Sequence, residues 1–134
     1  MATHADGSSA GFVVNIENVI GGSGNDVLVG NRVANALSGG SGDDRLDGGA
    51  GADVLAGGQG ADTFLFSRTQ ARGDRVTDFV RGEDQLVFSG FGTGATLEHQ
   101  GSSDLWAISY SAGQHEMITI VGVSTLLPGD YLFV

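Results

Sequence analysis

Four aspartates, Asp26, Asp44, Asp53 and Asp62, lie at multiples of nine residues from one another, and Asn35 holds the remaining place in the series. Each stands five residues after a glycine: Gly21, Gly30, Gly39, Gly48 or Gly57. A single aspartate in such a bend would be read as a turn former. Four in register behind glycine-rich bends point to ligation. Carboxylates beside bare main-chain carbonyls suit a hard divalent cation, and calcium above magnesium, because calcium accepts about six to eight oxygens in loose geometry. Transition metals would want imidazole or thiolate, which these bends lack.

Other chemistries find little support. The chain has no cysteine and no lysine, which removes disulfides, thiolate zinc sites, cysteine nucleophiles and Schiff-base chemistry. Gly7-Ser8-Ser9-Ala10-Gly11 matches the GxSxG nucleophile pattern, but it lacks the strand before and the helix after that the motif needs. His4, His99 and His115 are isolated, and His115-Glu116 has no second histidine to make HExxH. No carboxylate pair outside the repeated positions suggests acid–base work. The expectation is a module without catalysis. Six arginines against 16 acids give a net charge of −10, which argues against nucleic acid and anionic membranes as partners. No apolar run approaches the ~20 residues of a membrane span. The first seven residues have neither a basic patch nor an apolar stretch, so no cleaved signal peptide is expected.

The elements that must position the aspartates follow from the repeat. Written in nines from Gly21, the chain reads GGSGNDVLV, GNRVANALS, GGSGDDRLD, GGAGADVLA, GGQGADTFL. The sixth column carries Asp26, Asn35, Asp44, Asp53 and Asp62; the eighth carries Leu28, Leu37, Leu46, Leu55 and Phe64. The first six residues of each nonapeptide form a tight turn, with glycine supplying positive φ. The last three alternate out, in, out, as a short strand does. Two nonapeptides make one coil, so one edge of the stack collects repeats one, three and five and the other collects two and four. The predicted fold is all-β: a right-handed parallel β-roll with a thin core of eighth-column residues and an antiparallel β cap at its C-terminal end. One leucine buried per nonapeptide gives about 1.5–3 kcal/mol, while ordering its nine residues costs about 1–2 kcal/mol each. Coils ~4.8 Å apart also bring Asp26 near Asp44 and Asp44 near Asp62. At an effective dielectric of 20 each such pair repels by roughly 3–4 kcal/mol. The roll is therefore expected to need a cation between its turns.

The nonapeptides resemble the GGxGxDxUx calcium-binding repeats of the RTX (repeats-in-toxin) family. Asn15-Ile-Glu-Asn-Val-Ile-Gly-Gly resembles the usual lead-in to such arrays. Ala61-Asp-Thr-Phe-Leu-Phe and Val76-Thr-Asp-Phe-Val-Arg-Gly-Glu-Asp-Gln-Leu resemble the family's C-terminal cap, as in serralysin-type proteases and alginate-epimerase R-modules. The resemblance implies that one turn gives its second and fourth carbonyls, and the turn two repeats later its first and third, each with its sixth-column side chain. That places Gly22, Gly24 and Asp26 with Gly39, Ser41 and Asp44, and Gly40, Gly42 and Asp44 with Gly57, Gln59 and Asp62. On the other edge Asn31, Val33 and Asn35 would face Gly48, Ala50 and Asp53, with Gly49 and Gly51 as further carbonyls of that turn. An amide in place of a carboxylate predicts weaker binding there. Asp62, with Gly58 and Gly60, is expected to share a site with Asp74 and Asp84 of the cap. About three to five calcium ions follow from this scheme.

The expected organisation is a flexible lead over 1–11, a calcium-binding roll over 12–66 with its nonapeptides at 21–65, and a capping region over 67–134. Within the cap, apolar runs at 85–89, 105–110 and 117–121, separated by turns at 90–94 and 111–114, read as antiparallel strands. Asp78 beside Phe79 reads as a turn acceptor, not a ligand. The last five residues, Asp130-Tyr-Leu-Phe-Val, read either as a final strand or as a C-terminal export signal of the kind RTX proteins carry. Arg68, Arg72, Arg75 and Arg81 read as charge balance, with a patch for an anionic polysaccharide as the alternative; Trp106 and Tyr110 read as core, with a sugar platform as the alternative. Together these imply a monomeric, extracellular, calcium-folded module that meets type I secretion machinery in transit. A polysaccharide-binding module and the end-piece of an adhesin are the alternatives.

Overall fold

The eighth-column residues alternate between two facing sheets, and that alternation builds the molecule. The computed structural model describes the backbone of Ala2–His4 and residues 18–134. Its strands are β1 (Ala2–His4), β2 (Asn18–Ser23), β3 (Val27–Val29), β4 (Ala36–Ser41), β5 (Arg45–Asp47), β6 (Val54–Gln59) and β7 (Thr63–Ser67). They continue with β8 (Arg75–Val76), β9 (Gln85–Ser89), β10 (Thr96–His99), β11 (Leu105–Ser109), β12 (His115–Ile120) and β13 (Tyr131–Phe133). One sheet has the order β1-β2-β4-β6-β8-β12-β11-β10, the other β13-β9-β7-β5-β3.

Within the array every pairing is parallel and steps by 18 residues: Val19 opposite Leu37 opposite Leu55 in the first sheet, Leu28 opposite Leu46 opposite Phe64 in the second. A period of nine places alternate repeats on opposite sheets with the same side chain inward. These residues are buried and form the core, which Val76, Leu86, Ile118 and Ile120 extend into the cap. The chain is a parallel β-roll.

The roll runs further than expected. Gln85–Ser89 does not pair antiparallel: β9 lies parallel to β7, with Leu86 beside Phe64 and Phe88 beside Phe66. After Asp84 the out-in alternation of the nonapeptide resumes, so the strand is driven into the same register. The C-terminal β13 adds a further parallel strand, with Phe133 stacked on Phe88 at 5.0 Å. That is the final-strand reading of Asp130–Val134. Among the described residues antiparallel pairing is confined to β10, β11 and β12, and β12 joins the roll by lying parallel to β8. Of the segment expected as a lead, Ala2–His4 pairs with β2; the GxSxG match and the Asn15–Glu17 part of the lead-in lie outside the described residues.

Trp106 is buried, and its indole N–H donates to the Val123 carbonyl at 3.0 Å. Tyr110 packs on the core with the Arg68 guanidinium 5.0 Å above its ring. Trp106 is a core element, and Tyr110 is half-buried beside the core.

Candidate metal centre

The sixth-column side chains form two ladders, one on each edge of the roll. On the first, the Asp26 N–H donates to Asp44 Oδ1 (2.8 Å), the Asp44 N–H to Asp62 Oδ1 (2.9 Å) and the Asp62 N–H to Asp84 Oδ1 (2.9 Å). On the second, the Asn35 N–H donates to Asp53 Oδ1 (2.7 Å) and the Asp53 N–H to Asp74 Oδ1 (3.0 Å). Each carboxylate reaches back to the coil before it. All seven side chains are buried.

One oxygen of Asp44, Asp53 and Asp62 is thus spoken for, and the other is not. Oδ2 of Asp44, Asp53 and Asp62 has no hydrogen-bond partner. Each lies over the first-column glycine of its own turn, where a Cβ on Gly39, Gly48 or Gly57 would overlap it. Glycine is needed in that column because the carboxylate occupies the space a side chain would take.

The turn carbonyls point into the gaps between coils from both sides. Those of Gly22, Gly24, Gly40 and Gly42 face forward, against Gly40, Gly42, Gly58 and Gly60 of the next coil. Those of Gly39 and Gly57 face back, against Gly21 and Gly39, and the Gln59 carbonyl accepts the Gly42 N–H at 2.8 Å. On the second edge the Asn31 and Val33 carbonyls face forward against Gly49 and Gly51, the Gly48 carbonyl faces back against Gly30, and Asn31 O also accepts the Ala50 N–H at 3.0 Å.

Electrostatics bear on the same places. Burial lifts the Asp53 and Asp62 carboxyls to about 6 and that of Asp74 to about 8; Asp44 and Asp84 are raised for the same reason. Backbone N–H bonds pull the other way in every case, and neighbouring carboxylates add to the rise: Asp84 and Asp44 beside Asp62, Asp53 beside Asp74, Asp26 beside Asp44. Burial is therefore the larger cause and like-charge repulsion the smaller.

This donor set fits calcium. Buried carboxylate oxygens without partners, glycine cradles that leave room beside them and carbonyls aimed into the same gaps make an all-oxygen environment. Among the described residues no three Asp, Glu or His side chains gather into one cluster, so carbonyls must supply most of any ion's shell.

One placement differs from expectation. Asp62, Asp74 and Asp84 do not share one site. Asp84 stands beneath Asp62, and Asp74 beneath Asp53 on the other edge, because β8 pairs with β6 while β9 pairs with β7. Each therefore takes the sixth-column place of its own ladder. Asp78 accepts the Gly57 N–H on Oδ1 (2.9 Å) and the Gly58 N–H on Oδ2 (2.8 Å), the turn-acceptor role read for it.

The profile of the Peptidase M10 serralysin C-terminal domain matches residues 5–117. The chain belongs to that family. Its relatives include the metalloprotease AprA of Pseudomonas entomophila (strain L48), 60% identical over 80 residues, covering 57% of this chain and 16% of that protein. Serralysin of Photorhabdus luminescens is 58% identical over 85 residues, covering 60% of this chain and 18% of that protein. This serralysin C-terminal domain thus matches less than a fifth of the length of either. In fold it is similar to the AlgE6R2 and AlgE6R3 subunits of the Azotobacter vinelandii mannuronan C5-epimerase. For AlgE6R2 the identity is 28% and the TM-score 0.60, over 92% of this chain and 91% of that one. For AlgE6R3 the values are 25% and 0.59, over 96% and 82%. The extracellular lipase LipA of Serratia marcescens is also similar, at 26% identity and TM-score 0.56, over 92% of this chain and 19% of that one.

Sequence reasoning passed over two buried acids. Glu116 sits on the inward parity of β12 with Ile118 and Ile120, a period-two signal visible in the sequence. Asp130 accepts the Gly82 and Leu127 N–H groups (2.9 and 2.8 Å) and lies 3.9 Å from Arg81 Nε. It had been noted only as the acid before four apolar residues.

Proposed function

We propose that this serralysin C-terminal domain is a non-catalytic calcium-binding module that folds when calcium is supplied. The observation that carries the reading is the pair of carboxylate ladders, with unpartnered Oδ2 atoms on Asp44, Asp53 and Asp62 and carbonyls aimed into the gaps beside them. The first ladder has three gaps between carboxylates; the second has one, and another flanked by Asn35. Five positions is the upper end of the sequence expectation. The module belongs to a larger exported protein, stays unfolded where calcium is scarce, passes type I secretion machinery, and folds as a monomer outside the cell where calcium is abundant. Membership of the family and likeness to the modules of extracellular enzymes support this course. Among the described residues no helix is long and apolar enough to cross a membrane. Circular dichroism in calcium and in excess EGTA tests the reading: the β spectrum should appear only with calcium, and a spectrum unchanged by EGTA contradicts it.

A second reading, binding of an anionic polysaccharide, draws on the epimerase neighbours and on exposed Arg68, Arg72 and Arg75. The burial of Trp106 removes half of the aromatic platform it would use. Titration of the calcium-loaded protein with alginate oligomers decides: binding lost in Arg72→Ala or Arg75→Ala favours it, and no heat or chemical-shift change removes it.

A further inference from the structure

Asp130 is buried, yet neither ladder uses it. Its Oδ1 accepts the Gly82 N–H at 2.9 Å and its Oδ2 the Leu127 N–H at 2.8 Å. A buried carboxylate is costly unless hydrogen bonds offset its desolvation, and here both oxygens are bonded. The Arg81 guanidinium adds little from 3.9 Å, because that side chain is 43% exposed and donates instead to Thr125 Oγ1 at 2.7 Å. The main chain of Asp130 is engaged as well. Its carbonyl accepts the Leu86 N–H at 2.8 Å, and its N–H donates to the Leu127 carbonyl at 2.9 Å.

These contacts bracket Asp84. Gly82 lies two residues before it and Leu86 two residues after it. One residue of the C-terminal segment thus grips the chain on both sides of the last carboxylate of the first ladder. The turn between Val80 and Asp84 also closes on itself: the Asp84 N–H donates to the Val80 carbonyl at 2.9 Å, and the Val80 N–H to Asp84 Oδ2 at 2.8 Å. That closure is internal, whereas Asp130 fixes the tip of the turn to the start of β13. Held there, Asp84 presents Oδ1 to the Asp62 N–H at 2.9 Å. A cleft of about 490 Å³ is lined by Asp62, Asp84 and Asp130 together, so the clamp borders the space beside that pair.

We propose that Asp130 is a positioning residue for the cation site between Asp62 and Asp84. By clamping the chain on either side of Asp84, it sets that carboxylate beneath Asp62 and couples filling of the last gap to docking of the C-terminal strand. The proposal rests on the calcium reading of the ladders. The gap between Asp26 and Asp44, at the far end of the same ladder, does not depend on the clamp.

Two measurements on the whole chain in calcium test this. Native mass spectrometry counts the bound ions, and amide hydrogen exchange is read at Asp62, whose N–H bonds Asp84, and at Asp26, whose N–H bonds Asp44. In Asp130→Ala the last ion should bind on the order of tenfold more weakly, as when a ligand loses its supporting partner. At a calcium level that just fills the unaltered chain, the variant should therefore carry one ion fewer. Exchange at Asp62 should quicken by on the order of tenfold while Asp26 stays within about twofold. Arg81→Ala leaves both N–H grips in place and should keep the full count. Asp130→Asn keeps the side chain's volume but only one acceptor oxygen; it should show the same pattern to a smaller degree, and it decides alone if alanine prevents folding. A full ion count, or equal quickening at Asp62 and Asp26, overturns the proposal, as does an ion lost in Arg81→Ala. So does failure of both Asp130 variants to fold in calcium, because the carboxylate would then support the whole roll and not one turn. If the unaltered chain carries no calcium, the calcium reading itself fails.

Discussion

Asp74 stands beneath Asp53, with its Oδ1 3.0 Å from the Asp53 amide, although 21 residues separate the two where 18 separate the array partners. Asp84 meets Asp62 in the same way across 22 residues. The ladders therefore outlast the repeat that generates them, and what the chain preserves is the place of a carboxylate, not the spacing.

That place has a pH signature. Asp74 is raised from 3.8 to about 8, and Asp53 and Asp62 to about 6, chiefly by burial. Folded groups that hold protons more tightly than unfolded ones lower stability as pH rises. The metal-free fold should be most stable near pH 4 and lose stability up to about pH 8. Calcium competes with those protons, so its affinity for the folded protein should rise over the same range. Circular dichroism of the calcium-free chain and calcium titrations, each at several pH values, check both slopes; a calcium-free β signal that grows with pH would contradict the assignment.

Replacing Asn35 by aspartate supplies the carboxylate that the second ladder lacks at its start. Calcium should bind that edge more tightly by on the order of tenfold, about 1.4 kcal/mol. Isothermal titration of Asn35→Asp against the unaltered chain measures the effect, and an unchanged affinity would contradict it.

Gly40 has φ 107°, and a Cβ there would overlap the Gly22 carbonyl; Gly94 has φ 84° and open space around it. Gly94→Ala should cost only the backbone strain, about 1–3 kcal/mol. Gly40→Ala adds a clash with a carbonyl aimed into a cation gap, so it should lower the melting temperature in calcium further and weaken calcium binding. Equal losses in the two variants would count against the packing described.

Leu46 is fully buried between Leu28 and Phe64, whereas Leu132 is 47% exposed on the outer face of β13. Leu46→Ala should cost about 2–5 kcal/mol and Leu132→Ala within ~0.5 kcal/mol, read by thermal melts in calcium. A large loss from Leu132→Ala would show that the C-terminal strand has a partner on that face.

Much of this architecture was legible because a strict period links position to face. Nine residues per half-coil put Leu28 and Leu46 inward on one sheet and Leu37 and Leu55 on the other, and the same count put Asp26, Asp44 and Asp62 on one edge. Legibility ended where the period did. The longer segments before Asp74 and Asp84 hid which ladder each would join, and strand pairing in three dimensions decided it. Gln85–Ser89 carried the right alternation, but alternation alone does not say parallel or antiparallel. The weight of burial over charge repulsion depended on how deeply the turns lie, which spacing does not encode.

The central claim is that divalent cations lie between successive turns on each edge of the roll. A crystal structure of the chain grown in calcium, with anomalous data from a lanthanide replacement, tests it most directly. The account predicts peaks in the gaps between the turns of Asp26 and Asp44, of Asp44 and Asp62, and of Asp53 and Asp74, each ringed by carbonyl and carboxylate oxygens. Ordered turns with no peak between them would contradict it.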